Sequence, residues 1–314
     1  MNTTDWVAVC SRSFSQNDTL RKELLARYKN VTFNDLGVKL TGDSLIAFLR
    51  GHSKAITALE VIDESILAQL PELKVISKYG VGLDMIDVDA MREHGKRLGW
   101  TGGINRRSVA ELVICFAIAL LRAVPATHRE VLAGTWRQHV GGQLTGRTVG
   151  IIGCGHIGKE VIRLLVPFDC TILVNDIQRY PDFYEEYRVT DTDVETVLSR
   201  ADVVTIHIPL NQSTRGILDA HRLSLMKPSA VLINTARGGL IDEKALKDLL
   251  KERRIAAAAF DVFDTEPPTD MELLSLPNFL ATPHIGGSAE EAILAMGRAA
   301  IDQLDEHAPN ERPH

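Results

Sequence analysis

From Thr148 onward the chain repeats one pattern, a short apolar run followed by a helical alternation of apolar and polar positions. The runs are TVGIIG (148–153), TILVND (171–176), DVVTIHIPL (202–210), AVLINTA (230–236), AAAAFDVF (256–263) and FLATPHIGG (279–287). Apolar runs of this length predict strands, and helices between them predict crossovers, giving about six strands of one doubly wound parallel sheet. The first hundred residues alternate WVAVC, ITALEVI and LKVISKYG with amphipathic stretches such as Ser15 to Tyr28 and Asp63 to Leu70, which predicts a second parallel sheet. Arg106 to Val124 is a long apolar segment in which Ser108 and Glu111 have capping-box spacing, so a buried helix starting near Ser108 is expected to bridge two lobes. Ala289 to Leu304, apolar at Ile293, Met296, Ala300 and Leu304, reads as an amphipathic helix that returns to the first lobe. The expected fold class is therefore α/β with two doubly wound parallel-sheet domains, a discontinuous one of residues 1–101 plus 287–314 and one of residues 102–286.

A length of 314 residues agrees with two domains, at ~100–200 residues each. The hydrophobic fraction of 45% and charged fraction of 24% are those of a globular protein with a sizeable core. A net charge of −6 and a pI near 5.9 argue against a general surface for nucleic acid or anionic membrane. Cys10, Cys115, Cys154 and Cys170 show neither CxxC nor zinc spacing, so free thiols and no metal are expected. No run approaches the ~18 apolar residues of a membrane helix, and the N-terminus lacks a signal-peptide pattern, which points to the cytoplasm and no membrane partner.

Chemistry enters at TVGIIGCGHIGKEVIRLL, where a strand runs into Gly153, Gly155 and Gly158 and then into a helix. In that context the first glycine permits the turn, the second lets backbone approach a pyrophosphate, and the third lets helix pack on strand. The helix start, with His156 and Ile157, supplies amide donors to the phosphates. Asp176 ends the next strand, where a carboxylate accepts from ribose hydroxyls and repels a 2′-phosphate. The pair predicts NAD rather than NADP, with Arg179 the one nearby residue arguing otherwise.

In ATPHIGGS, Ala281 to Ser288, proline and paired glycines constrain the backbone around His284. Arg237 follows a strand in LINTARGGLIDEKAL, and Glu266 follows another in FDVFDTEPP. Singly they read as a packed loop histidine, a surface arginine and a turn-capping glutamate. Yet all three follow strands on the same side, and open parallel sheets bind ligands outside the carboxyl ends of their strands.

GIIGCGHIG, LINTARGGLIDEKAL, AFDVFDTEPP and ATPHIGG together, in this order, resemble the signatures of the D-isomer-specific 2-hydroxyacid dehydrogenases. The resemblance continues through LKVISKYGVGLDMIDVDA and NRRSVAELV, and is loose over the first thirty residues. It implies a Rossmann NAD-binding domain and a flavodoxin-like substrate-binding domain. It also implies that Arg237 grips the carboxylate and carbonyl oxygen of a 2-keto acid, that His284 is the acid–base group, and that Glu266 favours its imidazolium form. Backbone amides at Val81 and Gly82 would complete the carboxylate grip. Asp261 would lie near the nicotinamide carboxamide, with His207, Pro209, Thr235, Ala236 and Gly286 also beside the cofactor.

Within the family, Glu266 departs from the glutamine of formate dehydrogenases, and Val81 from the lysine of phosphite dehydrogenases. The first lobe is most similar to the D-3-phosphoglycerate dehydrogenase branch: Arg50 and Lys78 fall where basic groups face a substrate phosphate, and Asn105 matches a substrate-side asparagine. TGGIN, Thr101 to Asn105, lacks the proline usual in that linker, and a chain ending at His314 leaves no room for that branch's C-terminal regulatory domain. A glyoxylate or hydroxypyruvate reductase of small unphosphorylated acids is the alternative within the family. An NAD-sensing corepressor-like protein that binds short peptides is the alternative of another class. Family members are usually dimers joined through the cofactor domain, and Thr135, Trp136 and RQHVGGQL resemble the region that contributes.

Overall fold

A computed structural model describes residues 2–305. The chain forms two compact units: one runs through Asn105 and resumes at Ala289, and the other is Arg106–Ser288.

The first unit is built on five strands, β1 (Asn2–Val9), β2 (Tyr28–Phe33), β3 (Lys54–Thr57), β4 (Val75–Lys78) and β5 (Arg97–Gly99), all parallel, in the order β2-β1-β3-β4-β5. This is the flavodoxin-type winding, with its switch point between β1 and β3. β3 and β4 are buried at every position because helices cover both faces. Leu45, Leu49, Ile66, Leu67 and Met91 cover one face; Leu20, Leu24, Ile301 and Leu304 cover the other. The helix Glu290–Asp302 packs closely because Gly297 leaves room for Leu20: a Cβ there would meet Leu20 Cδ1 at 2.3 Å.

The second unit holds β6 (Thr148–Ile152), β7 (Thr171–Asn175), β8 (Thr190–Asp191), β9 (Val203–Ile206), β10 (Val231–Asn234), β11 (Ala257–Phe260) and β12 (Phe279–Ala281). They form one parallel seven-stranded sheet in the order β12-β11-β10-β9-β6-β7-β8. The apolar runs predicted about six strands, and β8 is the addition: two exposed residues at an edge leave no periodicity to read. The long apolar helix runs from Arg106 to Leu121 and buries Val109, Val113, Phe116 and Leu120 at helical spacing. Its start corrects the expected capping box: Ser108 lies inside the first turn, and its hydroxyl donates to Gly286 O at 2.6 Å. The chain then bends by 62° at left-handed Ala123 into a second helix, Val124–Leu132. Among the described residues no single helix is long and apolar enough to cross a membrane.

Candidate active site

At the carboxyl edge of the second sheet, β6 enters Gly153, whose φ of 99° only glycine adopts readily. A Cβ at Gly153 would stand 2.6 Å from His207 O, and one at Gly158 would stand 2.1 Å from Gly153 O. Both positions are closed to side chains by backbone. Gly155 is different: it is the N-cap of the helix His156–Leu165, and a Cβ there would meet nothing within 4 Å. Open space at the second glycine, beside free amides at a helix start, is what a pyrophosphate requires. His156 and Ile157 form that first turn.

Asp176 lies just past β7 with its carboxylate fixed by backbone: Oδ2 accepts from Cys154 N at 2.5 Å and Oδ1 from Gln178 N at 2.8 Å. Arg179 is drawn elsewhere, its Nε 3.0 Å from Asp191 Oδ2. Burial pushes the Cys154 thiol up to about 11, so it stays neutral between the glycines and Asp176.

Beyond β9, His207 shares a 2.9 Å hydrogen bond between Nε2 and Thr205 Oγ1, while its Nδ1 is buried without a hydrogen-bond partner. Burial pushes its imidazole down to about 3, so the ring is neutral. Thr235 Oγ1, just past neighbouring β10, is likewise buried and unpartnered. Buried polar atoms normally have partners, so these two orphans on adjoining strands suit a polar ligand such as the ribose and amide groups of a nicotinamide nucleotide. Pro209 belongs to a turn closed by Thr214 Oγ1 donating to its carbonyl at 2.7 Å.

Asn234, the last residue of β10, shapes the next loop. Its Oδ1 accepts from Ala236 N at 3.0 Å and its Nδ2 donates to Arg237 O at 2.8 Å, while Arg237 Nη1 donates to Ala236 O at 2.7 Å. Asn234 lies within LINTARGGLIDEKAL but is not among the site residues that the resemblance implies, although a polar residue ending an apolar strand is a visible signal.

Past β11, Glu266 Oε1 accepts from Phe263 N at 3.1 Å, and its Oε2 is 2.9 Å from His284 Nδ1. The pair is accessible, His284 with about half of its side chain exposed (51%). His284 itself has φ 55°, a left-handed value uncommon for a side chain with a Cβ. The loop is held in that form by Asp261, 1% exposed, which accepts from Thr282 Oγ1 at 2.5 Å, Ile285 N at 2.8 Å and Gly286 N at 2.7 Å. Asp261 was read as a cofactor neighbour; the structure gives its carboxylate a positioning task that the sequence did not show.

In the first unit, Lys78 closes β4 and is buried, its Nζ donating to Ala58 O. Val81 and Gly82 follow in the next loop, where Val81 O accepts from Trp100 Nε1 at 2.9 Å. Asn105 Oδ1 is buried without a hydrogen-bond partner. Arg50 is a correction. Expected to face a substrate phosphate together with Lys78, it is the exposed C-cap of the helix Gly42–Leu49 and precedes β3. Because Thr57 of β3 pairs with Lys78 of parallel β4, Arg50 lies beyond the amino edge of the sheet and Lys78 at its carboxyl edge. Just past β3 the buried acid Glu60 accepts from Ala58 N at 2.6 Å, on the residue whose carbonyl accepts from Lys78 Nζ.

Residues 114–286 match the D-isomer specific 2-hydroxyacid dehydrogenase, NAD binding domain. The D-3-phosphoglycerate dehydrogenase of Methanocaldococcus jannaschii is 35% identical over 291 residues, 91% of this chain; the match spans only 56% of that enzyme. The hydroxypyruvate reductase of Thermotoga maritima is 37% identical over 238 residues, 74% of this chain and 76% of that enzyme. A glyoxylate reductase from Paecilomyes thermophila has a similar structure, with a TM-score of 0.84 at 26% identity over 96% of this chain and 94% of that one. The NAD-binding match covers more than half of the chain and agrees with the glycine loop and fixed Asp176, so this chain belongs to the D-isomer specific 2-hydroxyacid dehydrogenases.

Proposed function

We propose that the chain is an NAD-dependent 2-hydroxyacid dehydrogenase that interconverts a small, unphosphorylated 2-keto acid and its 2-hydroxy acid. The observation that carries the reading is the Glu266–His284 contact of 2.9 Å on the same sheet edge as the Arg237 loop and Gly155. Gly153, Gly155, Gly158 and Asp176 would hold the dinucleotide, with His207 and Thr235 offering their unpartnered atoms to its nicotinamide half. Bound NADH supplies a hydride to the carbonyl carbon. His284 would donate a proton to the developing alkoxide oxygen and take it back in the reverse direction. Glu266 would hold that imidazole through Nδ1, leaving Nε2 for the substrate. Arg237 would bind the carboxylate through charge-assisted hydrogen bonds and so fix the carbonyl carbon in place.

Asp176 supports NADH over NADPH, and Arg179, close to it in sequence, is paired with Asp191. The unphosphorylated substrate is favoured because the two cations assigned to a phosphate lie at opposite edges of the first sheet, with Glu60 buried at the edge that keeps Lys78. A homodimer joined through the NAD-binding unit is also part of the proposal: the helix Val124–Leu132 buries none of its residues, and Leu132, Trp136 and Val140 are strongly exposed.

NADH oxidation with glyoxylate, hydroxypyruvate and 3-phosphohydroxypyruvate tests the reading. Hydroxypyruvate should exceed its phosphorylated counterpart in kcat/KM by at least about tenfold, equivalent to ~1.4 kcal/mol. The reverse order would restore the phosphoglycerate reading. Tight NADH binding without turnover of any keto acid would favour the corepressor-like alternative.

A further inference from the structure

Two loops that the sequence presents as separate strings are interlocked in the fold. A Cβ at Gly238 would stand 1.9 Å from the carbonyl carbon of Phe263, so the backbone just after Arg237 lies directly against the backbone leading to Glu266. At Gly239, with φ 75°, a Cβ would stand 2.8 Å from both Arg215 Nη1 and Asp264 Oδ1. Those two atoms are 3.0 Å apart, so an ion pair crosses over the second glycine of ARGG.

Arg215 comes from a third segment, the turn after β9, which is braced by Asn211 Oδ1 accepting from Ser213 N and Thr214 N. That turn is stitched to the Arg237 loop by Gly216 N donating to Gly239 O at 2.8 Å and Leu218 N donating to Leu240 O at 3.1 Å. On the other side, Asp264 N donates to Glu243 Oε1 at 3.1 Å, which ties the Glu266 loop to the start of the helix Glu243–Lys251. The Arg215–Asp264 pair is therefore a side-chain bridge from the turn after β9, itself hydrogen-bonded to the Arg237 loop, to the loop that presents Glu266 to His284.

We propose that Arg215 is a positioning residue: by holding Asp264 across Gly239 it sets the guanidinium of Arg237 in register with the Glu266–His284 pair. The inference rests on the dehydrogenase reading given above. Both side chains of the bridge are more than half exposed, and exposed ion pairs contribute little to global stability. Catalysis is more sensitive, since a misplacement of about 1 Å costs on the order of 100-fold. Loss of the bridge should therefore show in substrate binding and turnover, while thermal stability and NADH binding stay near those of the wild type.

The test uses full-length Arg215→Ala, Arg215→Lys, Asp264→Asn and the Arg215→Ala/Asp264→Asn double variant. NADH fluorescence gives dissociation constants for NADH and, with NADH present, for oxamate as a 2-keto acid analogue. Arg215→Ala and Asp264→Asn should each weaken oxamate and lower kcat/KM by about tenfold, and the double variant should be no worse than either alone. Arg215→Lys, which keeps the charge, should recover most of the loss. Unchanged oxamate binding in Arg215→Ala, additive losses in the double variant, or a parallel loss of NADH binding would each overturn the inference. Should wild type bind oxamate, the variants lose it and no keto acid be reduced, the bridge stands and the reaction assignment falls. Should wild type not bind oxamate, Arg215 has no carboxylate grip to position and the inference falls with it.

Discussion

At the carboxyl edge of the seven-stranded sheet, β6 opens into a glycine turn, Gly155 faces empty space, and His207 and Thr235 each keep a buried polar atom without a partner. At the corresponding edge of the five-stranded sheet most polar groups are taken up within the unit, although Thr57 Oγ1, at the end of β3, is buried without a hydrogen-bond partner. There β1 runs into Cys10, a fully buried thiol whose pKa burial raises, with negative Glu60 adding to the shift. Asn34 Nδ2 donates to Cys10 O, Ser11 Oγ accepts from Phe14 N, and Lys78 and Glu60 both bond to the backbone of Ala58. Both sheets are parallel and doubly wound, so topology alone would mark a ligand crevice at each switch point. The difference teaches that winding says where a site would be, while the glycine turn left open at Gly155 distinguishes the seven-stranded edge in a way that an orphaned atom such as Thr57 Oγ1 alone does not.

The largest effect that would test this contrast is at His284. Because its backbone sits at φ 55°, asparagine is a better probe than alanine: it tolerates the left-handed region and cannot relay the proton. His284→Asn should cut keto-acid reduction by roughly 10²- to 10⁴-fold while NADH binding is retained. Steady-state kinetics beside NADH titration checks both halves, and a variant with more than a tenth of wild-type turnover, about 1.4 kcal/mol of barrier or less, would remove His284 from the chemistry.

A smaller effect separates two glycines of one motif. Gly158→Ala forces a Cβ against Gly153 O at 2.1 Å, so the helix must move from the strand at a cost of about 1–3 kcal/mol, read as a lower thermal midpoint. Gly155→Ala adds its methyl to open space at φ −74°, and should fold like the wild type yet weaken NADH by about tenfold, ~1.4 kcal/mol, by occupying the phosphate approach. If Gly155→Ala bound NADH normally, the opening at that edge would have to belong to something else.

Much of this edge was legible in the sequence because each candidate residue follows a strand at the same end: Gly153 directly after β6, Asp176 directly after β7, and Arg237 and Glu266 in the loops past β10 and β11. Strand ends convert sequence position into spatial side, so types and order sufficed. What failed to show has physical reasons. The capping spacing of Ser108 and Glu111 was real, but the Ser108 hydroxyl is taken by Gly286 O, a partner remote in sequence. Asp261 reads as a strand-end acid whether it faces a ligand or, as here, three donors of the His284 loop. LIAFL is short and apolar and carries too little periodicity to separate strand from helix. In the structure Ser44 Oγ accepts from Thr41 N at the start of the helix Gly42–Leu49, which places Arg50 beyond the amino edge of the sheet and away from Lys78.

That displacement sets the last and smallest expected effect. Arg50 is exposed at a helix end, and a surface change of this kind is worth within ±0.5 kcal/mol. Arg50→Ala should therefore leave thermal stability and kcat/KM for hydroxypyruvate and for 3-phosphohydroxypyruvate about twofold or less from wild type. Lys78→Met is the counterpart, since it strips the ammonium donor from Ala58 O in a buried setting and should lower stability by about 1–3 kcal/mol. The informative comparison is thus the two variants against both substrates, with thermal melts alongside. If Arg50→Ala raised KM for the phosphorylated acid about tenfold and left the small acid alone, a charge-assisted contact of ~1.5 kcal/mol or more would be acting at Arg50. The five-stranded sheet would then carry its ligand contacts from its helix ends, and the contrast between the two edges would no longer hold.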